Sequence, residues 1–211
     1  AFCKHSVAVG LAWLAQGSET GARSGKRAKS SDSMKDVRGY LARQSQDVLV
    51  AMLMEQAMGD ERLRRGLLLK VAQHGRNGVD VDSYFAAIDT AVDTGDYIEY
   101  GAAYDYSAGI GDVVGSIEEL LTKGHAAEVI EISEHALAAV ESAMESVDDS
   151  DGHLGGILER LQDLHHAACQ KAKPDPESLA ERLLAWELRT PWDTFFGAAE
   201  RYADVLGKDG L

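Results

Sequence analysis

A chain of 211 residues, 45% of them hydrophobic and 27% charged, is long enough to bury a full core as one domain or as a continuous helical array. Its mean hydropathy of −0.22 and the lack of an apolar run near the roughly 18 residues of a span argue against a membrane partner. Two cysteines, Cys3 and Cys169, exclude a disulfide framework and fit a reducing, cytoplasmic setting. Residues 1–30 carry a net +4, which leaves −18 of the total −14 for residues 31–211. So acidic a body repels phosphate backbones, and any nucleic-acid contact is expected from the N-terminal end.

In chain order, Phe2 to Gln16 reads as a first helix with Val7, Leu11 and Leu14 on one side, ended by Gly17. Its apolar part is too short to span a bilayer and lacks the basic flank and cleavage site of a signal peptide. A start at Ala1 rather than Met is what a fragment would show. From Ser18 to Asp32 the sequence turns to Ser, Gly, Lys and Arg without a large apolar residue, so it is expected to be a flexible linker. Domains are therefore expected at 1–17, 18–32 and 33–211.

Ser33 opens a capping box with Asp36, and a short helix to about Arg43 follows. Ser45 starts another through Val48, Leu49, Met52, Leu53 and Ala57, stopped by Gly59. Asp60 caps the next, with Leu63, Leu67 and Val71 inward, and Val81 to Asp93 continues with Tyr84, Phe85, Ile88 and Val92. Between Tyr97 and Asp112 the helix reading weakens, because Gly101, Gly109 and Gly111 each cost about 1 kcal/mol relative to Ala.

The centre of the chain, Ser116 to Lys171, holds two amphipathic segments around the turn Asp148-Asp149-Ser150-Asp151-Gly152. Val129, Ile132, Ala136, Val140, Ala143 and Val147 stripe the first, and Leu154, Ile157, Leu161, Leu164 and Ala168 the second. Two such helices joined by a short polar turn form an antiparallel αα-hairpin. Lys173-Pro174-Asp175-Pro176 then stops one helix and starts another through Leu179, Leu183, Leu184 and Trp186. After Thr190-Pro191-Trp192-Asp193, the residues Phe195, Phe196, Ala199, Tyr202 and Leu206 make a last apolar face. No stretch alternates as a strand does. Succeeding helix pairs with short turns predict an all-α fold, an α-solenoid of antiparallel pairs in the tetratricopeptide or HEAT manner.

Few residues carry chemistry. Cys3-Lys4-His5 sets a thiolate and an imidazole one residue apart, two of the four ligands of tetrahedral zinc. His165 and Cys169 are i and i+4 on one helix, on the stripe of Leu158 and Leu161, which reads as a core histidine. The acidic turn fails as a calcium loop, since Val147 and Leu158 would fall at ligand positions, and reads as a helix cap. Tyr97, Tyr100 and Tyr104 keep helical spacing, which is ordinarily helix packing and otherwise the lining of a peptide groove. His135, with Glu131 and Glu134, has no nucleophile or phosphate loop beside it.

Phe2-Cys3-Lys4-His5 running into Ser6-Val7-Ala8-Val9-Gly10-Leu11-Ala12-Trp13-Leu14 resembles the closing half of a SWIM zinc finger, whose pattern is C-x-C, a variable gap, then C-x-H and a helix. The remainder resembles the helical region after the finger in bacterial SWIM-finger proteins, through Leu67-Leu68-Leu69-Lys70, Asp148 to Gly152 and Asp193-Thr194-Phe195. The resemblance implies zinc on Cys3 and His5 where an upstream C-x-C, absent from this chain, completes the set. It implies a finger that contacts nucleic acid or protein. Two functions follow: a finger-linked helical scaffold that binds a protein or peptide, or a metal-dependent or hydrolytic enzyme with a site between helices built from His135, His165 and the acidic turn.

Overall fold

The computed structural model describes residues 33–75, 78–208 and 210. The expectations for residues 1–32, namely the first helix, the half-site Cys3 and His5 and the linker from Ser18 to Asp32, lie outside the described residues. Among the described residues the protein is all-α, with ten α-helices, one 3-10 turn at Met144–Ser146 and two isolated bridges. The chain divides after Val50 into two units.

The first unit includes α1 (Ser33–Leu41), and the division falls inside α2 (Gln46–Gly59). The amide of Val48 donates to the Ser45 hydroxyl at 3.4 Å, which sets the start of α2 where the sequence puts it. The inward face expected for α2 is absent. Val48, Leu49, Met52 and Leu53 are exposed and only Ala57 is buried. Because Val48 through Met54 are all apolar, the helix has no polar side to fix which face turns inward.

The second unit continues with α3 (Glu61–Gln73), α4 (Val81–Val92), α5 (Tyr100–Thr122), α6 (Ala126–Ala143), α7 (His153–Ala172) and α8 (Pro176–Arg189). Two single turns follow, α9 (Ala198–Arg201) and α10 (Ala203–Leu206). Asp60 and Asp175 start helices as expected, accepting from the amides of Leu63 and Ser178 at 3.0 and 2.9 Å, and Asp80 does the same for Ser83 at 3.3 Å. In α3 the buried residues are Leu69, Ala72 and Gln73, not the expected stripe, whose Val71 is 71% exposed. The buried residues lie on nearly the opposite side of the helix from the expected stripe, because Leu67-Leu68-Leu69 offers apolar residues at three successive angles.

The glycines of α5 do not interrupt it. Ile110, Val113, Val114, Ile117 and Leu120 are buried along its length, and burying each branched side chain contributes about 1.5–3 kcal/mol, more than each glycine costs. Arg160 of α7 adds a two-pronged clamp, its Nε and one terminal nitrogen donating to Glu118 at 2.6 and 2.7 Å. The central hairpin is α6 and α7, joined by the acidic turn. Its first helix begins at Ala126 rather than Ser116, because Gly124 takes φ +94° and ends α5. Val147 is buried but lies beyond α6, bridged to Ile98. The last apolar face is broken, since Asp193, Phe195 and Gly197 all take positive φ. Phe195, Tyr202 and Leu206 turn inward while Phe196 stands exposed.

Candidate functional site

Helix α5 begins beside the acidic turn, and the backbone fixes this placement. The amide of Ile98 donates to the Ser146 carbonyl at 2.8 Å, and the amide of Asp148 donates to the Ile98 carbonyl at 2.9 Å. Ala103, Ser107 and Ile110 take the buried side of the helix. Tyr100 and Tyr104, four residues apart, therefore share its outer side. Tyr97, Tyr100 and Tyr104 are 56%, 56% and 66% exposed. They are not core, which corrects the packing reading of their spacing. Tyr104 meets His153 edge-on with ring centroids 5.6 Å apart. The hydrogen-bonding carboxylate of Asp151, with the negative field of Asp151 and Asp148, pushes the Tyr100 phenol above its ordinary range.

The turn itself is built as a cap. Asp149 accepts from the amides of Leu154 and Gly155 at 2.9 and 3.1 Å, and Asp148 binds the Ser150 hydroxyl. Gly152 takes φ +71°, a conformation that favours glycine, at the entrance to α7. Asp151 and Glu99 are exposed at either side of Tyr100 and Asp148 is half-buried. Between Arg76 and Arg160 the sequence has one cationic side chain other than histidine, Lys123, and from α3 Arg62 reaches α5 at Asp112 and the Ala108 carbonyl.

A second constellation is internal. His165, fully buried on α7, lies 3.2 Å from Glu134 through Nε2 and 2.8 Å from the Tyr202 hydroxyl through Nδ1. An ionised carboxylate only accepts, so Nε2 carries the proton in this pair. Arg182 donates to the same Glu134 oxygen at 3.1 Å. Burial alone would raise the Glu134 carboxyl, but the His165 hydrogen bond and the Arg182 charge outweigh it and hold it below the usual range. Burial pushes the Tyr202 phenol upward, and the Cys169 thiol, in the charge field of Glu134, is pushed up to about 12. Both ring nitrogens of His165 are engaged, where the sequence accounted for one. Glu134 and Arg182 open onto a cleft of about 370 Å³.

The other histidine named from sequence is engaged elsewhere. His135 lies 2.7 Å from Asp89 and stacks on Phe85 at 4.2 Å between centroids, on α4. A larger groove, of about 460 Å³, runs between α3 and α4 past the exposed Leu68 and Val71, with Arg64 and Arg65 at its side. Its carboxylates have partners: Glu61 lies 3.8 and 3.7 Å from those arginines, and Asp80 caps α4. Among the described residues no three His, Cys, Asp or Glu side chains are grouped to hold a metal ion. No helix of the described residues is long and apolar enough to cross a membrane.

The tyrosine face was legible as residues but not as a surface. Helical spacing alone cannot tell which side of a helix is covered. The Ile98–Val147 bridge and the contacts of His165 with Glu134 and Tyr202 join residues far apart in sequence, and neither leaves a periodic signal.

Fold and site together define an all-α protein with an exposed aromatic face on an acidic body. Residues 37–211 match a family of unknown function (DUF6880), and the chain belongs to that family. Comparison with curated proteins and with solved structures finds no match.

Proposed function

We propose that the helical body is a protein-interaction scaffold, a solenoid of antiparallel helix pairs that binds a peptide segment of a protein partner. The observation that carries this reading is the exposure of three tyrosines at the start of α5, Tyr100 and Tyr104 on the helix and Tyr97 just before it, next to the Ile98–Val147 bridge and the capped turn. Tyrosine supplies a large rigid contact area at small entropy cost, which is why it concentrates in interfaces. Neighbour contacts support the stacked arrangement: α3, α4 and α5 each pack on the next helix and on the next but one, and α6 packs on α7. The His165 cluster serves the body as a clamp between α6, α7, α8 and the C-terminal turns.

At the N-terminal side, Cys3 and His5 close a SWIM finger in this reading. A thiolate and an imidazole suit zinc as donors and make two of its four ligands. The metal would fold the finger, which would contact nucleic acid or protein while the body binds its own partner.

Selection from a displayed random-peptide library tests the scaffold. The reading expects related sequences to be enriched on the native protein and lost on a Tyr97→Ser, Tyr100→Ser, Tyr104→Ser variant with an unchanged circular dichroism spectrum. Failure to enrich any related sequences contradicts it.

A further inference from the structure

We infer that the exposed tyrosines at the start of α5, Tyr100 and Tyr104 with Tyr97 just before the helix, receive an arginine-bearing segment of a protein partner. The inference rests on the scaffold reading and names the chemistry of what binds. Two features of the face act on the same kind of group. The rings of Tyr100 and Tyr104 are more than half exposed on one side of α5, open to a planar cation stacked over them. The acidic turn is brought beside them by the Asp148 amide, which donates to the Ile98 carbonyl at 2.9 Å, and by the Tyr104–His153 ring pair, and Glu99, next to Tyr100 in the chain, is exposed. A guanidinium uses both features together, stacking on an aromatic ring while its edge donates to carboxylates; an ammonium lacks the planar fork.

The surroundings favour the same occupant. Among the described residues no lysine or arginine forms an ion pair with Glu99, Asp148 or Asp151, whose carboxylates near a basic side chain are met only by His153, 3.9 Å from Asp151. Arg62, which reaches α5 at Asp112 and at the Ala108 carbonyl, is paired with Asp112, so its charge is offset where a cationic segment would approach. The same acidity opposes nucleic acid and phosphorylated or acidic peptides. An uncharged apolar segment would gain from the rings but strip water from the carboxylates of Glu99 and Asp151 without offering them a cationic partner. The face is also preformed. The two backbone hydrogen bonds through Ile98 and the double cap on Asp149 hold the backbone segments that carry the rings and the carboxylates together before binding, which reduces the ordering cost.

Fluorescence anisotropy with a short labelled peptide of alternating arginine and glycine tests this, against matched lysine and glutamate peptides. The arginine peptide should bind the native protein, the lysine peptide several-fold more weakly and the glutamate peptide not at all. Tyr100→Ser with Tyr104→Ser, which leaves the net charge untouched, should weaken the arginine peptide by about tenfold. Tyr100→Phe with Tyr104→Phe keeps the rings and should retain most of the binding. Equal binding by the serine and native proteins would mean that the peptide feels only the charge of the whole body, and would overturn the inference. The library selection separates the two readings. Enriched sequences that need the tyrosines but carry no arginine overturn the present inference and leave the scaffold standing, whereas arginine-rich ones support both.

Discussion

Tyr104 on α5 and His153 at the start of α7 stand edge to face, 5.6 Å between centroids, and so tie the exposed tyrosines to the acidic turn. Such a pair contributes about 0.5–1.5 kcal/mol beyond its buried area. His153→Ala should lower stability by about that amount in urea titration without loss of helix content. It should also leave the tyrosines in place, because the Ile98 bridge is backbone and does not depend on the ring.

Asp149 is expected to matter more than its acidic neighbours. It alone in the turn caps two amides of α7, and removing a cap of this kind costs about 1–2 kcal/mol. Asp149→Ala should therefore shift the urea midpoint clearly, while Asp151→Asn, exposed and without a capping role, should shift it little. A larger loss from Asp151→Asn would show that the turn is held otherwise than by its caps.

The His165 cluster gives a pH dependence with a definite sign. Because the folded Glu134 carboxyl titrates below the unfolded one, its contribution is complete above the ordinary carboxylate range and is lost as pH falls through the folded value. Between about pH 5 and pH 3, the native protein should lose stability faster than Glu134→Gln, which has no such carboxylate to protonate. His165→Leu should cost about 2–3 kcal/mol near neutrality, since Glu134 and the Tyr202 hydroxyl lose a buried partner together.

Cys169 is fully buried and its thiol is pushed up to about 12, so almost no thiolate exists at neutral pH. In a Cys3→Ser background the native protein should leave a thiol reagent unconsumed over minutes, and react promptly once denatured. Fast labelling of the native form would mean that α7 opens locally.

The zinc reading has its own test. A chain extended upstream to a C-x-C pair should bind about one zinc per molecule and lose it on Cys3→Ser or His5→Ala, since all four ligands act together. Zinc content unchanged by both substitutions would remove the finger.

The sequence made the helical class, most helix starts and the central hairpin legible, because these depend on local caps and on the 3.6-residue period. It did not reveal which side of an apolar helix is covered. The sequence reading turns Val71, Phe196 and the α2 residues inward and they are exposed, while Leu69, on the other side of α3 from Val71, is buried. Where neighbouring residues are all apolar, orientation is decided by partners distant in sequence. The tyrosine face belongs to the same class, since its exposure follows from the turn that Ile98 reaches, not from its own spacing.

Hydroxyl-radical footprinting of the protein with the arginine peptide tests the central claim most directly. Tyr97, Tyr100 and Tyr104 should be protected in the complex, with Leu68 and Val71 in the α3–α4 groove oxidised as in the free protein. Protection of Leu68 and Val71 instead, or no protection of the three tyrosines at saturating peptide, would contradict the account.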